Sequence, residues 1–553
     1  MLDGPDAPRW AAWTAIAVAA GLAFARGVPH ALLDGWDDDR FLLENELVQR
    51  VSLDHLASFF TEPHFQAYHP LHLLSYWLDV PWLGTDGPGI HAVSLVLWIF
   101  ALVAVYEAGR ALGLGFVGAM ATTLLVGLHP VQVEAVTWAT GRKDILALGF
   151  SALAVIFHCR ARGPFDRWRA ASLLAFSAAA LSKTSALPLP LVLLAADLVL
   201  RERDWKRSLL GVAPFLLVAA SLGALTIAIW SGAEMTRSLD VGGRVALVLA
   251  TLTHHLETIF FPSSLSPLYP VARDGGFSLA QLALGPVVLA ATGVAAWRWR
   301  SRPLAFALIA FLLLVAPVSN AIPLYFQWQD RYLSLPLWPV AFAVGYGLQR
   351  LSRVEGPRWP AWAALAVLVG ALGLRTVQYA GRWSDALTLF GHAAATQPES
   401  FYAWLNLGHS RLREGHLDSA SAAYDQAIEV ANLRVAHDAR FRAQVLIDER
   451  NHDLSPSRAD ELTARFHGSF EDVDALRRMA VELAGQGYRR AVMLALDYSF
   501  ARDPIGDERL ERAALIQLER GHEWLCDYYL SRMTRRPITP LLVERVGPAP
   551  TSP

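Results

Sequence analysis

Along the first two thirds of the chain, apolar runs of near membrane-spanning length alternate with short polar connections, and beyond about residue 378 that alternation stops. The runs fall at about 10–27, 89–108, 114–131, 143–160, 168–182, 184–200, 208–230, 279–297, 303–318, 332–350 and 359–378. Roughly 17 to 25 apolar residues in a helix cross a bilayer, so the pattern predicts eleven transmembrane helices, the shorter ones at the low end of that range. Two connections are long, about 28–88 and 231–278, and mix aromatic with polar residues as helices lying along a membrane surface do. The apolar part of the second, Val245 to Phe261, reads as such a surface helix, because a full crossing there would break the parity of its neighbours.

Cationic residues settle the expected sidedness. One set of short loops holds Arg110, the groups Arg160 to Arg169 and Arg201 to Arg207, and Arg298, Arg300, Arg302, Arg350, Arg353 and Arg358. The opposite short loops hold only Arg142, Lys143, Lys183 and Arg331. Cationic loops resist translocation, so the first set is expected in the cytoplasm with the N-terminus, and the region after residue 378 on the far side. Ala23-Phe24-Ala25 also fits a signal-peptide cleavage site, but the leading segment carries Asp3 and Asp6 against Arg9. The downstream topology is the same either way.

The tail shows a period of its own. Ala386, Phe390 and Ala393 recur thirty-four residues on as Ala420, Tyr424 and Ala427, with Trp404, Leu407, Gly408 and Gly415 between them. Small residues that let paired helices approach, with aromatics filling the groove, make a tetratricopeptide pattern. Gly487, Tyr488, Ala491, Pro504, Leu518 and Gly521 continue it loosely. The expected organisation is a membrane domain over 1–380, a helical-repeat domain over 381–540 that binds extended peptide or partner proteins, and a disordered tail over 541–553.

Composition removes several function classes. Apolar residues make up 54% and charged residues 18%, more apolar surface than soluble cores of this length bury. A net charge of −2 without a basic, aromatic-studded stripe excludes nucleic acid as a partner. Cys159 and Cys526 lie too far apart in the topology to pair and show no metal spacing. No cofactor is assigned; His254-His255 with Glu257 could ligate a divalent metal, but histidines at membrane-surface positions are more often polar anchors. Gly113-x-Gly115-x-x-Gly118 sits between two spans rather than after a strand, and reads as a tight turn.

The candidate chemistry lies in ionisable residues at the outer span ends, where charge near hydrocarbon is costly to keep. They are Asp37, Asp38 and Asp39 after Trp36; His69 beside Tyr68; His129 and Glu134; Arg142 and Asp144; Lys183; and Asp330 with Arg331. Carboxylates with several cations on one face suit transfer from an anionic lipid carrier: an acid or base for the acceptor, and cations for the phosphate.

Trp36-Asp37-Asp38 with Asn45, Tyr68-His69-Pro70-Leu71, His129-Pro130 through Glu134-Ala135-Val136, Gly141-Arg142-Lys143-Asp144, Leu181-Ser182-Lys183 and Asp330-Arg331-Tyr332 through Pro336 occur in that order. In order, spacing and union with the repeats, these motifs resemble the transmembrane and tetratricopeptide repeat-containing O-mannosyltransferases, within the GT-C glycosyltransferase class. The resemblance covers residues 1 to about 430. It implies an all-α polytopic membrane protein of GT-C type carrying a C-terminal tetratricopeptide-like α-solenoid. It further implies an inverting enzyme that moves mannose or another hexose from a polyprenyl-phosphate donor to a Ser or Thr hydroxyl of an acceptor protein on the outer face.

By the same resemblance, Asp37 or Asp38 is the catalytic base, Arg331, Lys183 and Arg142 bind the donor phosphate, and His129, Glu134, His69, Tyr68, Asp144 and Asp330 shape the sugar or acceptor pocket. The chain departs from the family in carrying His69 where Arg is usual and Asp330 where Glu is usual. An Arg-rich, Ala-rich composition with only three lysines suggests a bacterial source, hence an inner-membrane location and an undecaprenyl-linked donor. Two other classes fit the same pattern, a non-catalytic scaffold that assembles envelope complexes through the repeats, and a transporter of lipid-linked sugar. A transporter would place charges at the bilayer midplane in mirrored halves; here they cluster at one face.

Overall fold

The computed structural model describes residues 8–33, 35–65, 67–163, 166–230, 239–271, 276–352, 359–451, 492–493, 496, 506–534, 537, 539, 541–542 and 545. The chain divides into two compact units, Met1–Ser400 and Phe401–Pro553.

In the first unit, α1 (Arg9–Phe24) is followed by a loop folded from four short helices, α2 (Glu46–Gln49), α3 (Leu53–Thr61), α4 (Pro70–Trp77) and α5 (Val80–Leu83). Asn45 and Ser52 cap α2 and α3 by accepting from the amides of Leu47 and Asp54, which satisfies donors that a helix start leaves free. Leu42, Val48, Phe59, Leu73, Tyr76 and Ile90 give this loop its own small core. The chain continues through α6 (Pro88–Ala111), α7 (Phe116–Leu128), α8 (Val133–Thr137), α9 (Arg142–Arg160), α10 (Arg167–Ser182), α11 (Leu189–Ala195) and α12 (Trp205–Trp230). Then come α13 (Val241–Phe260), α14 (Leu279–Arg298), α15 (Arg302–Val315), α16 (Leu337–Leu351), α17 (Trp359–Ala380) and α18 (Ala386–Thr396).

Among the described residues, five stretches are long and apolar enough to cross a membrane: Arg9–Gly27, Pro88–Ala111, Trp205–Ile229, Leu279–Arg298 and Trp362–Trp383. A sixth results if Phe116–Leu128 and Pro130–Thr137, bent by 52°, form one broken span. Leu217 is 70% exposed, Val287 60% and Val367 72%, apolar faces that only lipid can cover at this density. The protein is therefore an integral membrane protein. The other expected spans are helical but fall below that length or apolarity: α10, α15 and α16 have 16, 14 and 15 residues, and α9 opens on three charged side chains. The 245–261 segment forms α13, which is not among the five.

Close helix approach depends on small residues. A Cβ on Gly345 of α16 would lie 2.4 Å from the Gly118 carbonyl and 2.3 Å from Thr122 Oγ1 on α7. Gln349 seals the same crossing by accepting from the Gly115 amide at 2.6 Å. Gly113 has φ +99° in the turn between α6 and α7. The three glycines thus form a turn and a helix contact, with no strand beside them for a dinucleotide.

The second unit contains α19 (Phe401–Arg413), α20 (Leu417–Val430), α21 (Arg434–Arg450), α22 (Asp507–Glu519) and α23 (Glu523–Ser531). Gly408 lies against the Tyr424 ring so tightly that a Cβ would stand 2.3 Å from it, and Ala420, Ala427 and Ala443 are wholly buried. Gly415 makes the turn from α19 to α20 with φ +79°. Gly487, Tyr488, Ala491 and Pro504, most of the 541–553 tail, and Arg353 and Arg358 lie outside the described residues.

Substituting Gly345→Ala should therefore overpack the α7–α16 crossing and cost about 1–3 kcal/mol. It should lower the thermal midpoint in detergent, whereas Gly347→Ala, which meets nothing within 4 Å, should leave the midpoint close to that of the wild type.

Candidate active site

Four chain segments build the site, and each is placed by a specific local feature. The acidic loop turns at Gly35 (φ +77°) and then at Asp37, a non-glycine residue at φ +53°. That left-handed conformation costs about 1 kcal/mol or more and persists only where surroundings impose it. Trp36 supplies the anchor, packing on Trp138, Phe326 and Phe390 with ring centroids 6.2, 5.9 and 5.4 Å away.

The second segment begins where α7 stops at His129-Pro130, since proline disfavours helix in the residue before it. Its return at Gly141 presses the backbone so close that a Cβ would stand 2.6 Å from the Ala135 carbonyl and 2.7 Å from that of Glu134. This brings the start of α9 against Glu134. The third is the extended end of α10 at Lys183, and the fourth the turn Asp330–Leu333 before α16.

Adjacent aspartates have opposite surroundings. Asp38 is wholly buried and its carboxylate is fully engaged. Oδ1 accepts from the Thr140 hydroxyl at 2.6 Å and the Thr140 amide at 3.0 Å, and Oδ2 accepts from the Leu33 amide at 3.0 Å. Burial pushes this carboxyl up to about 7, against the downward pull of those hydrogen bonds. Asp37 is half-buried, and its charge acts on Lys143 and Arg331. Among the described residues, Asp39 accepts only from the Arg40 amide.

Arg331 and Glu134 form a buried pair in which Glu134 also accepts from the Arg331 amide at 2.9 Å. The guanidinium lies 4.9 Å from the Trp138 ring. Lys183 pairs with Asp144 and sits 5.9 Å from the Tyr332 ring. Lys143 lies over Phe41 and Trp138 at 5.5 and 5.4 Å, within electrostatic reach of Arg331, Asp37, Lys183 and Asp144. His69 belongs to the same neighbourhood: burial, then the charges of Lys143 and Lys183, push its imidazole down to about 3. It is neutral at physiological pH and adds no cation.

Several expected members stand elsewhere. Arg142 is fully buried, bound to Asp79 Oδ2 at 2.6 Å, Ser94 Oγ at 3.1 Å and the carbonyls of Ser75 and Ile90, with Tyr76 beneath it. These contacts fasten α9 to the 46–83 loop and to α6. His129 holds the Ile259 carbonyl through Nε2 at 2.8 Å and accepts from the Val131 amide through Nδ1. The Tyr68 hydroxyl donates to the Phe60 carbonyl at 2.8 Å. Asp330 is buried and accepts from Tyr269 at 2.5 Å and Tyr379 at 3.1 Å. Burial and the nearby Glu134 charge hold its carboxyl well above the usual range.

Lys143 is the site cation that sequence reasoning passed over in favour of its neighbour. One signal was available: Lys143 lies on the helical face of Leu146, Phe150 and Leu153 at offsets of three, seven and ten, the half-exposed stripe of α9. Among the described residues no group of three or more His, Cys, Asp or Glu side chains is arranged to hold a metal ion.

No family model matches the chain. Protein O-mannosyl-transferase TMTC3 of Mus musculus is 23% identical over 415 residues, 67% of this chain and 45% of that protein. Protein O-mannosyl-transferase TMTC1 of Mus musculus is 35% identical over 100 residues, 17% of this chain and 10% of the other. The chain thus spans less than half the length of these curated relatives. Among solved structures, the Archaeoglobus fulgidus oligosaccharyltransferase tethered with an acceptor peptide aligns with a TM-score of 0.39 and 12% identity, over 74% of this chain and 58% of that one. ArnT from Cupriavidus metallidurans bound to undecaprenyl phosphate aligns at 0.36 and 16%, over 80% of both. Over two thirds of its length, the chain is similar to protein O-mannosyl-transferases.

Proposed function

We propose that this protein is an inverting membrane glycosyltransferase that moves a hexose from a polyprenyl-phosphate donor to a Ser or Thr hydroxyl of an acceptor protein. The observation that carries the reading is the contrast between Asp37 and Asp38. One carboxylate is engaged on both oxygens and buried; the other is held partly open beside Lys143 and Arg331. Asp37 takes the hydroxyl proton as the acceptor oxygen attacks the anomeric carbon from the face opposite the phosphate. The anomeric carbon–oxygen bond breaks, and its electron pair leaves on the lipid phosphate.

Lys143, Lys183 and Arg331 meet the phosphate charge on departure. Lys143 is the best placed of the three because, among the described residues, its ammonium makes no ion pair, while the other two already hold carboxylates. Glu134 and Asp144 keep those cations oriented. Neutral His69 contributes to the pocket wall, and Asp38 and Arg142 act as fasteners.

The topology that goes with this reading has eleven spans, a cytoplasmic N-terminus in a bacterial inner membrane, and the catalytic loop and helical-repeat unit in the periplasm. The repeats recruit or present the acceptor.

Purified protein in lipid nanodiscs, given radiolabelled polyprenyl-phosphate mannose, glucose or galactose and membrane extract as acceptor, tests the reaction. Asp37→Asn should cut transfer by about 10²–10⁴-fold at an unchanged thermal midpoint; normal turnover in that variant would reject the base assignment. Lys143→Met should reduce kcat with little loss of folded protein, while Arg142→Met should chiefly destabilise.

Asp38 has a distinct pH signature. Its folded carboxyl holds a proton up to about pH 7, whereas an unfolded aspartate releases it near pH 4. The folded state binds more protons in that window, so Asp38's contribution to stability falls as pH rises from about 4 to about 7. Asp38→Asn cannot titrate and loses an acceptor for the Leu33 amide. It should be less stable than wild type at the acid end, with the gap narrowing towards neutrality in thermal midpoints measured across the range.

A further inference from the structure

A cavity lies beside the candidate site without containing its aspartates or cations. It encloses about 480 Å³ among the end of α13, the 261–270 segment, α14 and the loop before α16. Trp328 and Tyr269 line it, and each also connects to the site. Two residues from Trp328, Phe326 packs on Trp36 beside the aspartates, at 5.9 Å. The Tyr269 hydroxyl donates to Asp330, the neighbour of Arg331.

The cavity wall is held rigidly. His254 stacks on Trp328 at 4.4 Å and meets the Tyr269 edge at 4.7 Å. The Trp328 indole donates to Thr251 at 3.0 Å. The 262–265 backbone is clamped by side chains that donate to its carbonyls: Arg375 to Ser263 at 2.6 Å, Gln397 to Ser264 at 3.0 Å and His392 to Leu265 at 3.0 Å. A pre-formed, clamped cavity of this size with a few polar groups is what ligand sites usually look like.

Its charge is one-sided. Among the described residues, Glu257 is the one acidic or basic side chain besides His254 in the lining, and its carboxylate makes no hydrogen bond or ion pair there. Arg375, beside the 262–263 backbone of the wall, is bound to the Pro262 and Ser263 carbonyls. A free carboxylate at the mouth, with Phe261, Tyr269 and Trp328 in the wall, suits an alkylammonium or guanidinium group: the carboxylate takes the charge and the aromatics cover the stem.

We infer that this cavity seats a basic side chain of the acceptor polypeptide at a fixed distance from the hydroxyl presented to Asp37, and so selects acceptors with a lysine or arginine near the modified residue. The inference rests on the transferase reading above. The Phe326–Trp328 segment runs from the aromatic cluster beside the aspartates to the cavity wall, the path an extended polypeptide would follow.

The test measures binding apart from turnover. Fluorescently labelled peptides carrying one threonine, and either a lysine or its uncharged isostere norleucine at successive distances from it, are titrated against the full-length protein in nanodiscs without donor. The lysine peptide should bind more tightly at one preferred spacing. Glu257→Gln should weaken that peptide about tenfold, the loss expected for one charge-assisted contact, and leave the norleucine peptide unchanged. Equal binding of the two peptides, or an equal effect of Glu257→Gln on both, overturns the assignment.

Phosphatidylethanolamine carries the same ammonium chemistry, so the titration is repeated in nanodiscs with and without it. Loss of the lysine preference when that lipid is present would assign the cavity to a lipid headgroup instead. Transfer without lysine preference counts against the cavity assignment alone. Lysine-selective binding with no transfer from any lipid-linked sugar counts against the transferase reading alone.

Discussion

The buried pair of Arg331 and Glu134 is the interaction on which the candidate site depends. Glu134 is inaccessible to solvent and both its oxygens are used by one residue, the side chain and the main-chain amide of Arg331. A carboxylate at that depth is tolerated only when paired, so the turn before α16 and the broken helix after α7 have one acceptable register relative to each other. That register brings Trp138 under the guanidinium and, through Trp36, draws the acidic loop to the same place. Removing either partner would strand the other in a dry environment, at a cost of about 3–5 kcal/mol. Loss of activity in an Arg331 variant therefore says little about phosphate unless folding is measured too.

Charge balance around this pair separates structural from chemically available groups. Arg331 answers Glu134, and Lys183 answers Asp144. That leaves Asp37 and Lys143, of opposite sign and each within the field of the other, with neither in an ion pair among the described residues. A base and an anion-binding cation need that condition: held by their surroundings, but not neutralised by a permanent partner. Asp38 and Arg142 show the reverse. Each has its hydrogen-bonding capacity largely filled by backbone and neighbouring side chains, so each fixes geometry.

Sequence patterning located the segments of this site far better than the side chains within them. The apolar runs all fold as helices where described, and the candidate ionisable residues lie at their ends, although Lys143 was passed over for its neighbour. What one sequence does not carry is rotation. Asp37 and Asp38, or Arg142 and Lys143, are neighbours whose side chains point in different directions, and which one turns inward is set by contacts with distant segments: Thr140 for Asp38, Asp79 and Ser94 for Arg142. Span length was legible only in part for a related reason. α7 has 13 residues before a 52° bend, and hydropathy reads through a bend that Pro130 imposes. In the second unit, Gly408 and Tyr424, both singled out in the sequence as part of a repeat-like pattern, pack directly against each other.

Positive φ at Asp37 links these observations. A left-handed aspartate is tolerable because its short side chain clashes less than a branched one, and the turn reverses direction between Trp36, which faces the aromatic cluster, and Asp38, which faces Thr140. With both flanking residues anchored to different parts of the protein, the residue between them has little freedom and is left displayed. The strain at Asp37 is thus sustained by the burial of its two neighbours, a device that holds one carboxylate ready without giving it a partner of its own. Replacing Asp37 with a β-branched residue would contest the turn as well as the chemistry, so an asparagine, which tolerates the same φ, is the substitution that separates the two.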